Sequence, residues 1–282
     1  MNLASRIRLE PRFDELGSTE WALRVAAGLV AVVILSALML VASGHDPSVA
    51  YAALLRGAFG SERALAATLN KAVPIGLCAI GIAIANRARL WNIGAEGQLY
   101  FGAFAAAGVG LFLPETTAPV VALSLLIIAG VLAGAVWAAL AALPRAFLGV
   151  SEILSTLMLT YVAVQWVDYL VTGPWADPRT FSFPYSAPII SSARIGDLIG
   201  QVHWGILLLL LAALTLLVID RRLRWGYALR VFGDAPMAAK YAGIDGRCLV
   251  LTALIVAGCF AGLAGAVEIA ASTNRLQAGL SP

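Results

Sequence analysis

The sequence predicts an all-α, polytopic membrane helical bundle of about seven spans, and three observations carry that prediction. Hydrophobic residues fill 61% of the 282 positions and charged residues only 12%, where soluble domains run near 25% charged. Mean hydropathy is +0.88, and the apolar residues fall into runs of about 15 to 25, the length that crosses a bilayer as helix. Basic residues gather at alternate ends of those runs, as the positive-inside rule requires of cytoplasmic segments. The net charge of +3 is therefore read as topology and gives no reason to invoke nucleic acid.

Residues 1–20 form a polar arm with Arg6, Arg8 and Arg12, and residues 21–43 form one apolar run. That run is too long for a signal-peptide core, so it reads as an uncleaved first span with the N-terminus inside. The small residues Ala42-Ser43-Gly44 keep cleavage as the alternative. Residues 44–67 read as an external segment whose apolar pattern (Val49, Leu54, Phe59) suits the membrane interface. The second span, 69–86, opens with Asn70, Lys71 and Pro74, a proline near a helix start being tolerated. Lys71 either snorkels outward or sits at a pathway mouth.

The third span is short, 99–113, and is preceded by Asn92, Glu96 and Gln98 in the stretch NIGAEGQ. Lipid cannot satisfy such groups, so this is predicted to start a short or broken helix inside the bundle, with Glu96 facing protein. Solute contact and plain structural hydrogen bonding both fit. The fourth span, 119–143, ends at Pro144-Arg145. In the fifth, 151–172, Tyr161, Gln165, Asp168 and Thr172 share one face of the outer half, while Glu152, Ser155, Thr156 and Thr160 cluster elsewhere on the inner half. The outer stripe is a candidate solute vestibule, or a line of interhelix hydrogen bonds.

Residues 173–202 are a proline-rich external loop suited to docking, followed by a sixth span at 203–219. The seventh, 248–272, carries Ala257, Gly258, Ala261, Gly262 and Gly265 on one arc for close packing. Glu268 falls on that arc near the outer end, as a pathway carboxylate or an interfacial one. Residues 273–282 are then an external end.

Between the last two spans, residues 220–247 (DRRLRWGYALRVFGDAPMAAKYAGIDGR) carry a basic excess that marks a cytoplasmic loop. It reads as an Arg-rich continuation of the sixth span and then a short helix over 234–241. Asp234 would be its N-cap, Pro236 would sit in its first turn and Gly243 would be its C-terminal stop. Such a helix can dock a partner or merely anchor the loop at the headgroups. About 13 of the 19 basic residues fall on the cytoplasmic side of this topology.

Cys78, Cys248 and Cys259 have no metal or disulfide spacing, and His45 and His203 lack a partner at ligand spacing, so no metal site is expected. No GxxxxGK[ST], HExxH or GxSxG occurs, so the chain has no ATPase, metalloprotease or serine-hydrolase motif of its own.

The segments LWNIGAEGQLYFGA (90–103), LGVSEILSTLMLTYVA (148–163) and GYALRVFGDAPMAAKYAGI (226–244) together resemble permease subunits of ATP-binding-cassette importers. The superfamily is that of ribose and branched-chain amino-acid permeases, in its nucleoside or simple-sugar branch. RIRLEPR (6–12) and GPWADP (173–178) fit the same branch. The resemblance implies a non-enzymatic subunit in a bacterial-type plasma (inner) membrane, with no cofactor of its own and ATP used by a partner. That partner is an ABC ATPase subunit in two copies, docked on 226–244 at Arg230, Gly233, Asp234, Ala238, Ala239 and Gly243. A second permease chain, same or paralogous, and an extracytoplasmic substrate-binding lipoprotein complete the implied assembly. The family usually has Asn at the position of Ser151 and tolerates Asn at that of Asp234. Its members run on for further spans, so the chain is expected to be C-terminally truncated relative to them. Two other classes remain: a proton- or sodium-coupled secondary transporter using Glu96 and Asp168, and a membrane-embedded structural or sensor subunit. Candidate pathway residues are Asn92, Glu96, Gln98, Tyr161, Gln165 and Asp168.

Overall fold

The computed structural model describes residues 18–180 and 183–281. Arg6, Arg8 and Arg12 of the predicted polar arm lie outside the described residues. The chain divides after Gly60 into two units.

The first unit holds α1 (Ser18–Ala42) and α2 (Pro47–Phe59). Helix α1 is apolar throughout, and none of its most apolar stretch is buried. Helix α2 lies in the segment expected at the membrane interface. Its start is set locally: Asp46 caps the first turn through the Ser48 N–H (2.8 Å) and Pro47 stands at the first helical position. Tyr51 donates to the Val33 carbonyl at 2.8 Å and shares a 2.7 Å hydrogen bond with Ser36, which fastens α2 to α1.

The second unit begins with α3 (Glu62–Arg87) and α4 (Ala95–Phe112), followed by α5 (Pro119–Leu148) and α6 (Glu152–Thr172). A hairpin of β1 (Asp197–Ile199) and β2 (Val202–His203) precedes α7 (Gly205–Arg222). Then come α8 (Arg224–Asp234), α9 (Pro236–Tyr241) and α10 (Gly246–Val267), the last running into a π-helical turn at Glu268–Thr273. Helix α3 starts two turns before the predicted span, because Ser61 caps it through the Ala64 N–H. Pro74 is therefore inside the helix and not near its start.

Helix α10 is the centre of this unit, packing most extensively on α5 and then on α4 and α3. The sequence placed its small residues on one arc, but they serve three neighbours. Gly258 and Gly262 meet the α5 backbone at Gly134 and Gly130, Gly265 meets α4 at Leu99 and Ala103, and the Ala257 carbonyl faces Gly81 of α3. Close backbone approach of this kind is what holds helices together where the surrounding solvent is itself apolar. Large apolar residues are turned outward instead, on α5 (Val120, Leu132, Val136) and α7 (Leu210, Leu211, Leu214) among others.

Among the described residues five helices are long and apolar enough to cross a membrane: α1, α3, α5, α6, and α10 with its π turn. The other two predicted spans correspond to α4 and α7, each 18 residues long. Helix α4 spends its first turn on Glu96 and Gln98, and α7 spends its last on Asp220, Arg221 and Arg222. The segment after α10 also departs from expectation. Residues 274–280 fold back, burying Leu276 and Leu280, and Ser186 and Ile189 of the loop after α6 donate backbone hydrogen bonds to Leu276 and Asn274 (both 2.9 Å).

Candidate functional site

The polar loop predicted at 220–247 folds as a braced corner. Extended backbone at Leu223 separates α7 from α8, so α8 is a distinct helix and not a continuation of the span. Gly226 lies against the Ile219 carbonyl, and Gly233 against the Arg87 carbonyl at the end of α3. Asp220 is the hub. Its carboxylate pairs with Arg87 of α3 at 3.1 Å and with Arg230 of α8 at 2.7 Å, and Arg230 also reaches the Asp220 carbonyl. Trp225 donates to Thr252 of α10 at 3.1 Å, so α8 is tied to three other helices.

Helix α9 carries the exposed face. Only Ala239 is buried in it, while Met237, Ala238, Lys240 and Tyr241 are exposed. It ends as predicted at Gly243, whose φ of +75° is one that side chains disfavour. The Ile244 N–H reaches the Ala239 carbonyl at 3.0 Å and the Gly243 N–H the Lys240 carbonyl at 3.1 Å, closing a Schellman turn. The start differs from prediction. Asp234 ends α8, Ala235 is the N-cap of α9, and the Asp234 carboxylate pairs with Arg89 at 3.2 Å. Both partners are exposed, so that pair contributes little.

Of the pathway candidates, Asn92 and Gln98 are buried and hydrogen-bonded to each other twice at 3.0 Å, which uses them structurally. Glu96 is exposed on the outside of this chain's bundle instead of packed within it. The inner polar cluster of α6 is structural as well. Thr156 and Thr160 return their hydroxyls to the carbonyls four residues back. Buried Glu152 pairs with Arg145 at 3.1 Å and accepts from the Trp91 N–H at 3.4 Å. Gly94 and Gly97 of the NIGAEGQ stretch are pressed against the α6 backbone at Thr156 and Thr160, each with an atom 2.7 Å from where a Cβ would lie.

The outer stripe of α6 faces away from this chain's own bundle. Tyr161, Gln165 and Thr172 are exposed and Asp168 is half-buried, with one carboxylate oxygen enclosed and lacking a hydrogen-bond partner. Tyr161, Gln165, Trp166 and Tyr169 line a shallow hollow of about 460 Å³. Trp166 is held edge-on against Phe104 of α4, ring centroids 5.9 Å apart.

Sequence reasoning took Lys71, His203 and Glu268 one at a time, and the structure brings them together. Glu268 is 1% exposed, pairs with Lys71 at 3.2 Å and accepts from Ser272 at 3.1 Å. It is therefore a buried partner and not an interfacial group. His203, expected at a span edge, is buried beside it in β2. Asn70 of α3 holds that hairpin through Gln201 and His203. The available signal was opposite charge at similar depth in two spans. Among the described residues no set of three His, Cys, Asp or Glu could hold a metal ion.

A bundle of apolar helices around a small-residue centre, with a charged helical corner at one end, defines an integral, multi-pass membrane protein. The chain belongs to the family described as branched-chain amino acid transport system / permease component, whose model matches residues 64–281. It is 33% identical to the glucose ABC transporter permease protein TsgB13 of Haloferax volcanii, over 98% of this chain and 75% of that one. It is 32% identical to the guanosine ABC transporter permease protein NupP of Bacillus subtilis, over 85% of this chain and 70% of that one. The nucleoside ABC transporter permease protein NupB of Lactococcus lactis is 26% identical, over 86% and 70%. No solved structure matches the chain.

Proposed function

We propose that this chain is the transmembrane permease subunit of an ATP-binding-cassette importer for nucleosides or related small polar solutes. A separate ATPase subunit, two copies per complex, binds and hydrolyses the ATP and docks on α9 at its exposed Ala238 and Tyr241. A second permease chain, same or paralogous, completes the pathway, and an extracytoplasmic binding lipoprotein delivers solute to the external loops. The N-terminus and the α8–α9 corner lie on the cytoplasmic side.

The observation that supports this reading best is the corner itself: a six-residue helix with an exposed face, carried on an α8 braced to α3, α7 and α10. A headgroup anchor needs no such bracing. The stripe on α6 supports the pathway half of the reading. Tyr161 and Gln165 lie near the middle of a spanning helix, and polar groups at that depth face protein or water, not lipid. Since they face away from their own bundle, a second permease chain across them would enclose a watery path.

The test is co-purification of the tagged chain with its ATPase subunit in detergent, for the wild type and for a variant with residues 233–243 scrambled. ATPase recovered with the wild type alone supports the reading; none recovered with either overturns it. Tyr161→Ala/Gln165→Ala should lower uptake about tenfold, a barrier change near 1.4 kcal/mol, at unchanged expression. One observation favours an ion-coupled carrier, the enclosed and unpartnered oxygen of Asp168. Uptake driven by a proton or sodium gradient without any ATPase, and lost in Asp168→Asn, would establish that reading instead.

A further inference from the structure

At the end of the bundle that carries the basic excess, a cleft of about 620 Å³ opens between α9, the end of α5 and the start of α10. Its lining includes three cations, Arg145, Lys240 and Arg247, against one carboxylate, Asp245. These cations differ in how they are used. Arg145 is held by Glu152 at 3.1 Å. Among the described residues Lys240 and Arg247 have no acidic partner within ion-pair reach. Asp245 forms no ion pair with either; its carboxylate caps α10 by accepting the backbone N–H of Arg247 at 2.9 Å. The Arg247 guanidinium lies 5.9 Å from the centre of the Phe147 ring, so it is positioned without being neutralised.

The rest of the lining is apolar, with Phe232, Met237, Ile244 and Val250. Beside the cleft at the end of α5, Phe147 and Leu148 are 56% and 77% exposed. Two unneutralised cations over an apolar floor, at the level where spans leave the membrane, form an amphipathic cavity. A soluble anion would use the charges and leave the apolar wall wet. A ligand that is anionic at one end and hydrocarbon at the other uses both. We infer that this cleft binds the headgroup of an anionic phospholipid, with its phosphate at Lys240 and Arg247 and its glycerol and upper acyl carbons on the apolar wall. Basic pockets between spans on the cytoplasmic side are where such headgroups are expected to sit. A lipid held there touches α9 on one side and α10 on the other, so it would brace the corner in the membrane.

The test uses the full chain, purified in neutral detergent, with dioleoylphosphatidylglycerol and dioleoylphosphatidylcholine titrated as separate probes and bound lipid counted by native mass spectrometry. Phosphatidylglycerol should bind about 25-fold more tightly than phosphatidylcholine, roughly fivefold for each unpaired cation. The preference should shrink as salt is raised. Lys240→Gln/Arg247→Gln should abolish it, while Arg221→Gln/Arg222→Gln, which removes the same charge from an exposed place outside the cleft, should keep it. Should the double variant lose its folded elution profile, Lys240→Gln alone should cost about fivefold and Lys240→Arg nothing. Equal binding of the two lipids, or a preference that survives in the double variant, overturns the inference. So does glycerol phosphate competing at equal concentration, which would make the ligand a soluble phosphate. Loss of ATPase co-purification in the double variant with lipid preference intact would assign the cleft to the ATPase and overturn it too.

Discussion

Gly233→Ala is the sharpest test of the corner. A Cβ at this position would overlap the Arg87 carbonyl and stand 3.3 Å from Cα and C of Ala88. Both obstacles are backbone, and the end of α3 cannot retreat freely because Arg87 is clamped by Asp220, which also holds Arg230. The methyl group must therefore push α8 off α3. Inserting one methyl into a packed contact costs about 1–3 kcal/mol. A value of about 2 kcal/mol lowers the ratio of docked to undocked α8 roughly 30-fold.

Two other glycines calibrate that number. Gly243→Ala meets open space but must adopt a φ of +75°, a cost of about 1 kcal/mol, or roughly fivefold. Gly196→Ala, in the loop before β1, meets nothing within 4 Å and should be neutral. The assay is solute taken up per ATP hydrolysed in proteoliposomes holding the chain with its ATPase and binding protein. Limited proteolysis of the corner reports undocking directly. The expected order of damage is Gly233→Ala, then Gly243→Ala, then Gly196→Ala. Normal coupling in Gly233→Ala, or greater damage from Gly243→Ala, would refute the reasoning that the docking of α8 on α3 holds the corner in place.

Three further predictions concern the polar groups inside the bundle. Lys71→Met strands a carboxylate that is 1% exposed and should destabilise by about 2 kcal/mol, a value held below the fully buried case because Lys71 is itself more than half exposed. Adding Glu268→Gln should recover most of the loss; additive losses in a thermal double-mutant cycle would show that the pair is uncoupled. Asn92→Leu leaves the buried Gln98 amide unpaired and should cost about 1–3 kcal/mol, measured as a fall in unfolding temperature, whereas a neutral result would mean water already serves Gln98. Burial holds the His203 imidazole below its ordinary pKa, against the pull of Glu268 and Asp197, so the unfolded chain takes up its proton first. That contribution to stability is complete above about pH 6.5 and is lost as pH falls through the lower folded value. His203→Gln should flatten the acid limb of the thermal midpoint between about pH 7 and 5; an unchanged limb would assign it to another group.

Local chemistry was legible in the sequence and tertiary pairing was not. The α9 corner was found because its determinants lie within a few residues: a basic excess, Pro236, and Gly243 where the chain must turn. Asp234 was misread as a cap because a cap depends on which helix owns the residue. The clasp of Gly233 on α3 keeps Asp234 in α8, and Arg89, 145 positions away, takes its carboxylate. Glu268 was placed on the correct arc by periodicity, but its burial depends on Lys71, 197 positions away. The same limit applies to NIGAEGQ. Its polar residues announced a special helix start, yet only the packed structure shows Asn92 and Gln98 consuming each other and leaving Glu96 on the outside.

These contacts also bear on how a push at α9 could reach the α6 stripe. Asp220 and Trp225 make α8 move with α3, α7 and α10. Helix α10 then meets α4 at Gly265, where the Leu99 carbonyl and Ala103 nitrogen leave no room for a side chain. One turn earlier on α4, Gly97 meets α6 at Thr160, beside Tyr161. The two glycine steps are backbone against backbone, so little of the displacement can be absorbed there by side-chain rearrangement. On the proposed reading, the glycines of NIGAEGQ would pass α10 movement to the pathway wall, a role that needs neither Asn92 nor Glu96 to touch solute. A bulky residue at Gly97 should then impair uptake while leaving ATPase docking intact, whereas scrambling 233–243 should remove docking as well. Impairment of both together would mean that the two contacts serve folding alone.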